Sequence, residues 1–206
     1  MIKVLTIDRE YGSGAAEIAQ KLADRLGWKL WDQLLTSEIA RHLECDKLHV
    51  ERQEERRDPL HYRIFKAFLR GSYEGSQITP QMKVADAESI RQVSEQMVRK
   101  AASEGNCVIV GRGSAYYLRD QPDAFHVFVY APFEEKVRRL QQAGKTEAEA
   151  TELVQTVDRD RADFIRQNFG VQFPCRHFFH LMVNSTMGEA AAVQTVLDAL
   201  SAVQKA

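Results

Sequence analysis

Residues 2–26 decide the fold, and they run IKVLTIDREYGSGAAEIAQKLADRL. The first part, residues 2–7, is apolar and rich in β-branched side chains, which predicts a buried strand. Residues 8–14 carry two glycines and predict a turn. From residue 16 to residue 26 the apolar side chains recur at helical spacing, and Gly27 follows as a stop signal. A strand that turns on glycines into a helix is a building unit of parallel α/β sheets.

The rest of the chain repeats this alternation. Further strands are predicted over residues 28–31, 107–110, 125–130 and 180–184. Further helices are predicted over residues 34–43, 86–104, 134–142, 146–168 and 189–203. The alternation predicts an α/β fold with three layers, in which helices cover both faces of a mostly parallel sheet. Residues 44–85 are rich in charge, glycine and proline, and we interpret them as a helical insertion within one domain spanning residues 1–206.

The composition excludes several functional classes. The chain has 206 residues, of which 44% are hydrophobic and 28% charged, as in globular proteins with a sizeable core. Its 28 basic and 29 acidic residues give a net charge of -1, so we expect neither nucleic acid nor an acidic membrane as a partner. Three scattered cysteines and the lack of a signal or membrane-spanning stretch predict a cytoplasmic protein. Nothing in the composition indicates an oligomeric state.

One cluster of potential metal ligands is present, but it predicts packing rather than binding. Cys175, His177 and His180 lie close together in sequence. A zinc site usually has a fourth ligand in a firmer pattern. Aromatic residues surround this segment, so we predict no metal site in the protein.

The first candidate site is the glycine turn made by Gly12, Ser13 and Gly14. Such a turn aims backbone N–H groups at one point, and the helix that follows adds the positive end of its dipole, which suits a phosphate. The full P-loop pattern G-x-x-x-x-G-K-[ST] is absent. With Gly14 as its second glycine, the first falls on Arg9, the lysine on Ala15 and the hydroxyl residue on Ala16. Arg9 is then the candidate cation; a tight turn without a ligand is the alternative.

Two other segments carry arginines that suit phosphate chemistry. Arg112 lies between two glycines after a buried strand, where its guanidinium is well placed to fork onto a phosphate. Residues 158–161 run Asp-Arg-Asp-Arg, and Arg166 shares a helix face with Arg159. Cations of this kind stabilise the charge that develops in phosphoryl transfer. The alternatives are an exposed strand-end arginine and a solvated helix with ion pairs four residues apart.

In this order the segments resemble the cytidylate kinase-like family, a branch of the P-loop nucleoside monophosphate kinases. The resemblance covers residues 2–43 and 86–200. The motifs that carry it are Gly-Ser-Gly at 12–14, Leu-Gly-Trp-Lys-Leu-Trp-Asp at 26–32, Val-Ile-Val-Gly-Arg-Gly at 108–113, Phe-His-Val-Phe-Val-Tyr-Ala-Pro-Phe-Glu-Glu-Lys-Val at 125–137 and Asp-Arg-Asp-Arg at 158–161.

The resemblance implies a kinase that uses ATP and Mg²⁺ and moves the γ-phosphoryl group to a (d)CMP-like acceptor. Residues 12–14 would cradle the donor phosphates, and residues 143–172 would form a lid that closes arginines over the transferring group. On this basis the expected catalytic residues are Arg9, Arg159 and Arg161. The expected substrate-binding residues are Asp32, Arg112 and Arg166.

Two departures from the family pattern keep alternatives open. Ala15 stands where bacterial cytidylate kinase has a lysine, and Gly113 stands where related kinases have an aspartate after Gly-Arg. The first departure leaves open a nucleotide-binding module without transfer activity. The second leaves the cytosine specificity of the relatives open, and a kinase for another small acceptor is a further alternative because residues 44–85 could build a different pocket.

Overall fold

The computed structural model describes residues 1–32 and 87–205; the helix predicted at 34–43 and the insertion at 44–85 lie outside them. In the described part the strands are β1 (Val4–Arg9), β2 (Lys29–Trp31), β3 (Cys107–Val110), β4 (Ala124–Tyr130) and β5 (Leu181–Asn184). The α-helices there are α1 (Ala15–Leu26), α2 (Ala87–Glu104), α3 (Ser114–Tyr117), α4 (Phe133–Gln142), α5 (Glu147–Phe169) and α6 (Glu189–Lys205). None of these helices is long and apolar enough to cross a membrane.

The strands form one parallel sheet with the order β2-β3-β1-β4-β5. The central strand is β1, in which Val4 is in register with Cys107 of β3 and Ala124 of β4. Because all strands run in one direction, their carboxyl ends meet at a single edge of the sheet. The glycine turn after β1, Asp32 after β2 and Arg112 after β3 all follow strand ends at this edge, where ligands bind in sheets of this kind.

Helices cover both faces of the sheet, which confirms the three-layer prediction. Successive strand residues point to opposite faces. Leu5 and Val108 belong to the hydrophobic core that includes residues of α1 and α6. Val4 and Ile109 belong to the other core, with residues of α2, α3 and α5.

The structure corrects the boundary of the first strand. Residues 8–14 were expected to form a turn, but β1 continues through Asp8 and Arg9, which are buried. The N–H of Glu10 donates to Val129 O at 3.1 Å, so the pairing with β4 persists to the strand end. The prediction was wrong here because charged residues at a strand end favour a turn, whereas this strand end is buried among other charged groups.

Helix α5 packs beside the glycine turn rather than standing apart from it. It begins with a capping box between Thr146 and Glu149, and its last residue is followed by Gly170, whose φ of 69° is left-handed. Its first half shares a small apolar cluster with α4 and with Tyr11 of the turn. Its second half contributes Phe164 and Ile165 to the hydrophobic core on one face of the sheet. The segment predicted as a lid therefore includes a helix that contacts the turn and the sheet core.

Candidate active site

The glycine turn depends on residues without side chains. Gly12 and Gly14 have φ values of 76° and 73°, in the left-handed region that favours glycine. A Cβ atom on Gly12 would lie 3.0 Å from Cβ of Lys136. Ser13 is buried, and its hydroxyl donates to Glu10 O at 2.8 Å. Since the N-cap residue of α1 is Gly14, which has no side chain to cap the helix, the N–H groups of its first turn suit an anion.

A buried lysine ties one side of this turn to α4 and α5. Lys136 Nζ lies 3.0 Å from Glu10 Oε2 and 2.9 Å from Asp158 Oδ2. The other oxygen of Asp158 accepts a hydrogen bond from the N–H of Tyr11 at 2.7 Å. Burial alone would lower the pKa of Lys136, but the two carboxylates outweigh burial and raise it. The lysine therefore stays charged and connects three elements.

An arginine of α4 binds the backbone on the other side of the turn. Arg139 Nη1 donates to Ser13 O at 2.7 Å and to Ser185 Oγ at 2.9 Å. Its Nε donates to Glu135 Oε1 at 2.8 Å, which orients the guanidinium. The turn is thus anchored through its own backbone, and α4 supplies both anchors.

Arg9 places a buried cation between the ends of β1 and β3. Its side chain passes over Gly111, where a Cβ atom would lie only 1.7 Å from Arg9 Nη1. Arg9 is 7% exposed, and its Nε has no hydrogen-bond partner among the described residues. A buried guanidinium with an unused donor is suited to an anion that is not part of the protein.

Two further arginines lie in the same region. Arg161 Nη1 donates to Arg9 O at 3.2 Å and lies 3.7 Å from Asp158 Oδ1. Arg112 is 2% exposed and has a left-handed φ of 62°, a conformation that costs a non-glycine residue energy and is common at functional sites. Burial lowers the pKa of each to about 9, against the opposing effect of Asp32 on Arg112 and of Asp158 on Arg161. Both therefore remain cationic at neutral pH.

These groups line two neighbouring pockets. The first, which we call the loop pocket, is lined by residues 9–16 and Arg161, and it encloses about 180 Å³ with open solvent included. The second, which we call the arginine pocket, encloses about 370 Å³ with the open solvent at its mouth included. The polar residues and glycine that line it are Asp8, Arg9, Arg112, Arg161 and Gly113. Its apolar wall is formed by Phe164, Ile165 and Phe173. Arg9 and Arg161 line both pockets.

The structure brings most of the predicted site residues together, although their roles remain predictions. The predicted site residues that line the pockets are Arg9, Gly12, Ser13, Gly14, Arg112 and Arg161. Asp32 is buried and acts on the charge of Arg112, but it lines neither pocket. Arg159 is exposed, and Arg166 pairs with Asp163 at 2.6 Å with 69% of its side chain exposed. Neither Arg159 nor Arg166 lines a pocket.

Sequence reasoning missed three residues of this site: Asp8, Lys136 and Arg139. Asp8 was assigned to a turn, although it lies in a buried strand. Lys136 had a usable signal, because it precedes Leu140 by four residues and so lies on the buried face of α4. A lysine on an apolar helix face implies a partner carboxylate inside the protein.

The histidines near the last strand have packing roles here. His180 Nδ1 accepts from the N–H of His126 at 2.9 Å, and its ring stacks on Phe125 with centroids 5.0 Å apart. Within residues 1–32 and 87–205 no group of three or more His, Cys, Asp or Glu side chains could hold a metal ion.

The fold is found in solved structures of low sequence identity. An uncharacterized protein from Eubacterium ventriosum ATCC 27560 has a TM-score of 0.69 at 17% identity, over 98% of this chain and 99% of that one. A gluconokinase from Sinorhizobium meliloti 1021 has a TM-score of 0.56 at 14% identity, over 98% and 93%. A shikimate kinase from Acinetobacter baumannii has a TM-score of 0.54 at 15% identity, over 98% and 94%. These likenesses establish the P-loop kinase fold.

Sequence comparison identifies the family. No curated protein is similar enough in sequence to count as a relative. The sequence model of the cytidylate kinase-like family matches residues 4–187, most of the chain, and so confirms the resemblance carried by the motifs. The match includes the glycine turn, Arg112 and Arg161, the same segments that form the two pockets. The chain therefore belongs to the cytidylate kinase-like family.

Proposed function

We propose that the chain is an ATP-dependent phosphotransferase that moves the γ-phosphoryl group of ATP from the loop pocket to a small anionic acceptor in the arginine pocket. The observation that carries the proposal is that the two pockets share Arg9 and Arg161. A phosphoryl group in transit keeps charge on its three equatorial oxygens, so positive charge common to both sites favours the transfer. Membership of a kinase-like family supports the same reaction class.

On the donor side, arginines would take the place of the absent P-loop lysine. Ala15 is 3% exposed and supplies no charge. Arg9 and Arg161 line the loop pocket, where the N–H groups of the glycine turn and the N-terminus of α1 would bind phosphate oxygens. Guanidinium groups suit this task because they bind phosphate through two parallel hydrogen bonds.

On the acceptor side, the arginine pocket offers three cations and an apolar wall. Arg112 would hold an anionic group of the acceptor, with Asp32 favouring its charged form. Phe164 and Phe173 would contact the carbon skeleton. The acceptor that the family resemblance implies, (d)CMP, is one anion of this kind. Neighbours named as gluconokinase and shikimate kinase point to small organic acceptors as well.

Magnesium would enter as its complex with ATP. In this chain Ala16 occupies the position of the hydroxyl that holds the ion in a complete P-loop, and the Ser13 hydroxyl already donates to Glu10 O. Mg²⁺ commonly binds through substrate phosphates and water with few protein ligands. When bound it would neutralise part of the phosphate charge, while Arg9 and Arg161 act on the remainder.

A nucleotide-binding module without transfer activity is the second candidate function. The observation that favours it is the pair Ala15 and Ala16, which removes the lysine and the hydroxyl together. This candidate predicts that ATP binds and that no acceptor stimulates ADP formation.

The experiment that separates the two candidates is ADP formation from ATP and Mg²⁺ with a panel of anionic acceptors. We expect acceptor-dependent ADP formation in the parent protein. In Arg161→Met we expect kcat to fall about 10³-fold or more, since a transition-state arginine contributes that much. Arg119→Met removes an exposed arginine paired with Asp120 and serves as the matched control, with activity close to the parent.

Each other outcome is informative. ATP binding without ADP formation for any acceptor contradicts the phosphotransferase and favours the module. Arg159→Met tests the predicted catalytic role of Arg159. If kcat falls as far in Arg159→Met as in Arg161→Met, Arg159 takes part in the reaction. If Arg159→Met keeps the activity of the parent protein, Arg159 has no catalytic role.

A further inference from the structure

Asp8 is a buried carboxylate with an unused oxygen at the arginine pocket. It lies one residue before the end of β1 and is 4% exposed. It lines the arginine pocket, and its Oδ2 has no hydrogen-bond partner among the described residues. Leaving a charged acceptor buried without a donor is costly, and such groups persist mainly where they serve a function.

The neighbouring cations do not satisfy this oxygen. Arg161 Nη1 donates to the backbone oxygen of Arg9 instead. The Arg9 guanidinium is directed toward Gly111, and its Nε makes no hydrogen bond to any described residue. Oδ2 of Asp8 and Nε of Arg9 therefore keep unused hydrogen-bonding capacity in two residues that line the pocket.

The charge of the pocket selects the ligand. Three guanidinium groups and one carboxylate line it, which favours a small anion and disfavours a free cation. An anion held by arginines still leaves the oxygen of Asp8 without a donor. A hydroxyl on the same molecule would provide that donor.

The two acceptor chemistries differ in their need for a base. A phosphomonoester has a second pKa near 6, so its oxygen is already ionised at neutral pH and attacks without losing a proton. A hydroxyl must lose its proton, and kinases that phosphorylate hydroxyls use an aspartate to accept it. A carboxylate that lines the acceptor pocket suits the second chemistry.

We infer that the acceptor atom is a hydroxyl oxygen of a small anionic molecule, such as a hydroxy acid or sugar phosphate, and that Asp8 accepts its proton. This inference rests on the proposed function and names its substrate class. The hydroxyl oxygen forms a bond to the γ-phosphorus of ATP while the bond from that phosphorus to the bridging oxygen breaks. The electron pair of the broken bond stays on ADP, and the hydroxyl proton moves to Asp8 and then to water.

The surroundings of Asp8 give a base of suitable strength. Burial raises the pKa of Asp8 to about 6, while Arg9 and Arg161 act to lower it. The groups that act on Asp8 or share its pocket are Arg9 from β1, Arg112 after β3, Tyr116 from α3 and Arg161 from α5. Arg112 and Arg161 stay charged and Tyr116 stays neutral near pH 6, so these three groups do not titrate together with Asp8. We expect kcat to rise with pH through about 6 and then level off.

The test is ADP formation with matched acceptors, followed by ³¹P NMR of the product. The anionic hydroxyl compounds are D-glycerate, D-gluconate, glycerol 3-phosphate and ribose 5-phosphate. The uncharged counterparts are glycerol and ribose, and the phosphate acceptors are CMP and dCMP. We expect a new phosphomonoester from at least one anionic hydroxyl compound and from neither uncharged counterpart. A diphosphate product formed only from CMP or dCMP overturns the inference and leaves the proposed phosphotransferase intact.

The variant Asp8→Asn tests the residue itself, because the amide keeps the shape and removes the base. We expect kcat to fall about 10²- to 10⁴-fold with KM changed less than about threefold. An unchanged kcat would overturn the role of Asp8. If this variant does not fold, the pH profile of the parent decides, and a kcat that is flat between pH 5 and pH 8 contradicts the inference.

The inference of a hydroxyl acceptor is also overturned if none of the eight compounds is turned over. That result counts against the proposed phosphotransferase as well, and titration with ATP then tests the second candidate function, because ATP binding without turnover favours the nucleotide-binding module.

Discussion

Replacing Lys136 by methionine should destabilise the protein far more than removing a surface lysine. Lys136 has 8% of its side chain exposed and contacts two carboxylates, on Glu10 and Asp158, at 3.0 Å and 2.9 Å. Methionine fills similar space without charge. The substitution leaves two negative groups close together with no cation between them, at the point where the glycine turn meets α4 and α5.

The size of the loss follows from the burial of these groups. Removing one partner of a fully buried ion pair costs about 3–5 kcal/mol. The side chains of Glu10 and Asp158 keep 25% and 21% exposure, so water relieves part of that cost. We expect the free energy of unfolding to fall by about 2–3 kcal/mol. For a chain of this size that corresponds to a drop in Tm of roughly 5–10 °C.

The assay is urea and thermal unfolding of Lys136→Met beside a matched control, Lys21→Met. Lys21 pairs with Glu189, but the two side chains are 57% and 36% exposed. Such a pair contributes about 0–1 kcal/mol. Equal losses in the two variants, or no loss in Lys136→Met, would refute the reasoning that Lys136 anchors the turn.

Three more predictions concern the backbone at the site and one buried histidine. Gly111→Ala should weaken ATP binding, measured by calorimetry, because the Cβ atom of the new alanine would displace Arg9. Gly27 has a φ of 65° and open space around it, so Gly27→Ala should lower the stability of the fold without changing ATP binding. Gly12→Ala should cost about 1–3 kcal/mol in urea unfolding and weaken ATP binding, since a left-handed φ and contact with Lys136 both oppose a side chain. Burial and His180 lower the pKa of His126 from 6.5 to about 4, so the folded state resists protonation of this ring. The free energy of unfolding should therefore fall as the pH drops from 6.5 toward 4, and the contribution of His126 to that fall should be roughly 3 kcal/mol. Urea unfolding at several pH values checks this, and His126→Gln should flatten that part of the profile.

Much of the fold could be predicted because it depends on local patterns. The alternation of apolar runs with amphipathic stretches located the five described strands within two residues of their observed bounds, and Gly27 correctly marked the end of the first helix. Helix α3 was missed because its four residues are too few to show a helical period. The strand end at Asp8 and Arg9 was missed because charged residues do not indicate burial in a single sequence.

The site was predictable in part, for geometric reasons. Arg112 follows a strand at the edge where parallel strands end, and the structure places it there. Arg159 and Arg161 are two positions apart on a helix, which separates their directions by about 200°, so both could not face the same pocket. Lys136 contacts Glu10 and Arg139 contacts Ser13, each across 126 positions of sequence. Such contacts depend on tertiary packing and leave no local pattern.

The central claim is that the loop pocket holds the phosphates of a nucleotide with Arg9 and Arg161 in place of the lysine. Titration calorimetry with ATP, ADP and AMP tests it most directly. We expect the affinity to fall from ATP to ADP to AMP by about tenfold or more per phosphate, the value of a charge-assisted hydrogen bond, and Arg161→Met to remove most of the preference for ATP. Equal affinity for ATP and AMP, or an unchanged preference in Arg161→Met, would contradict it.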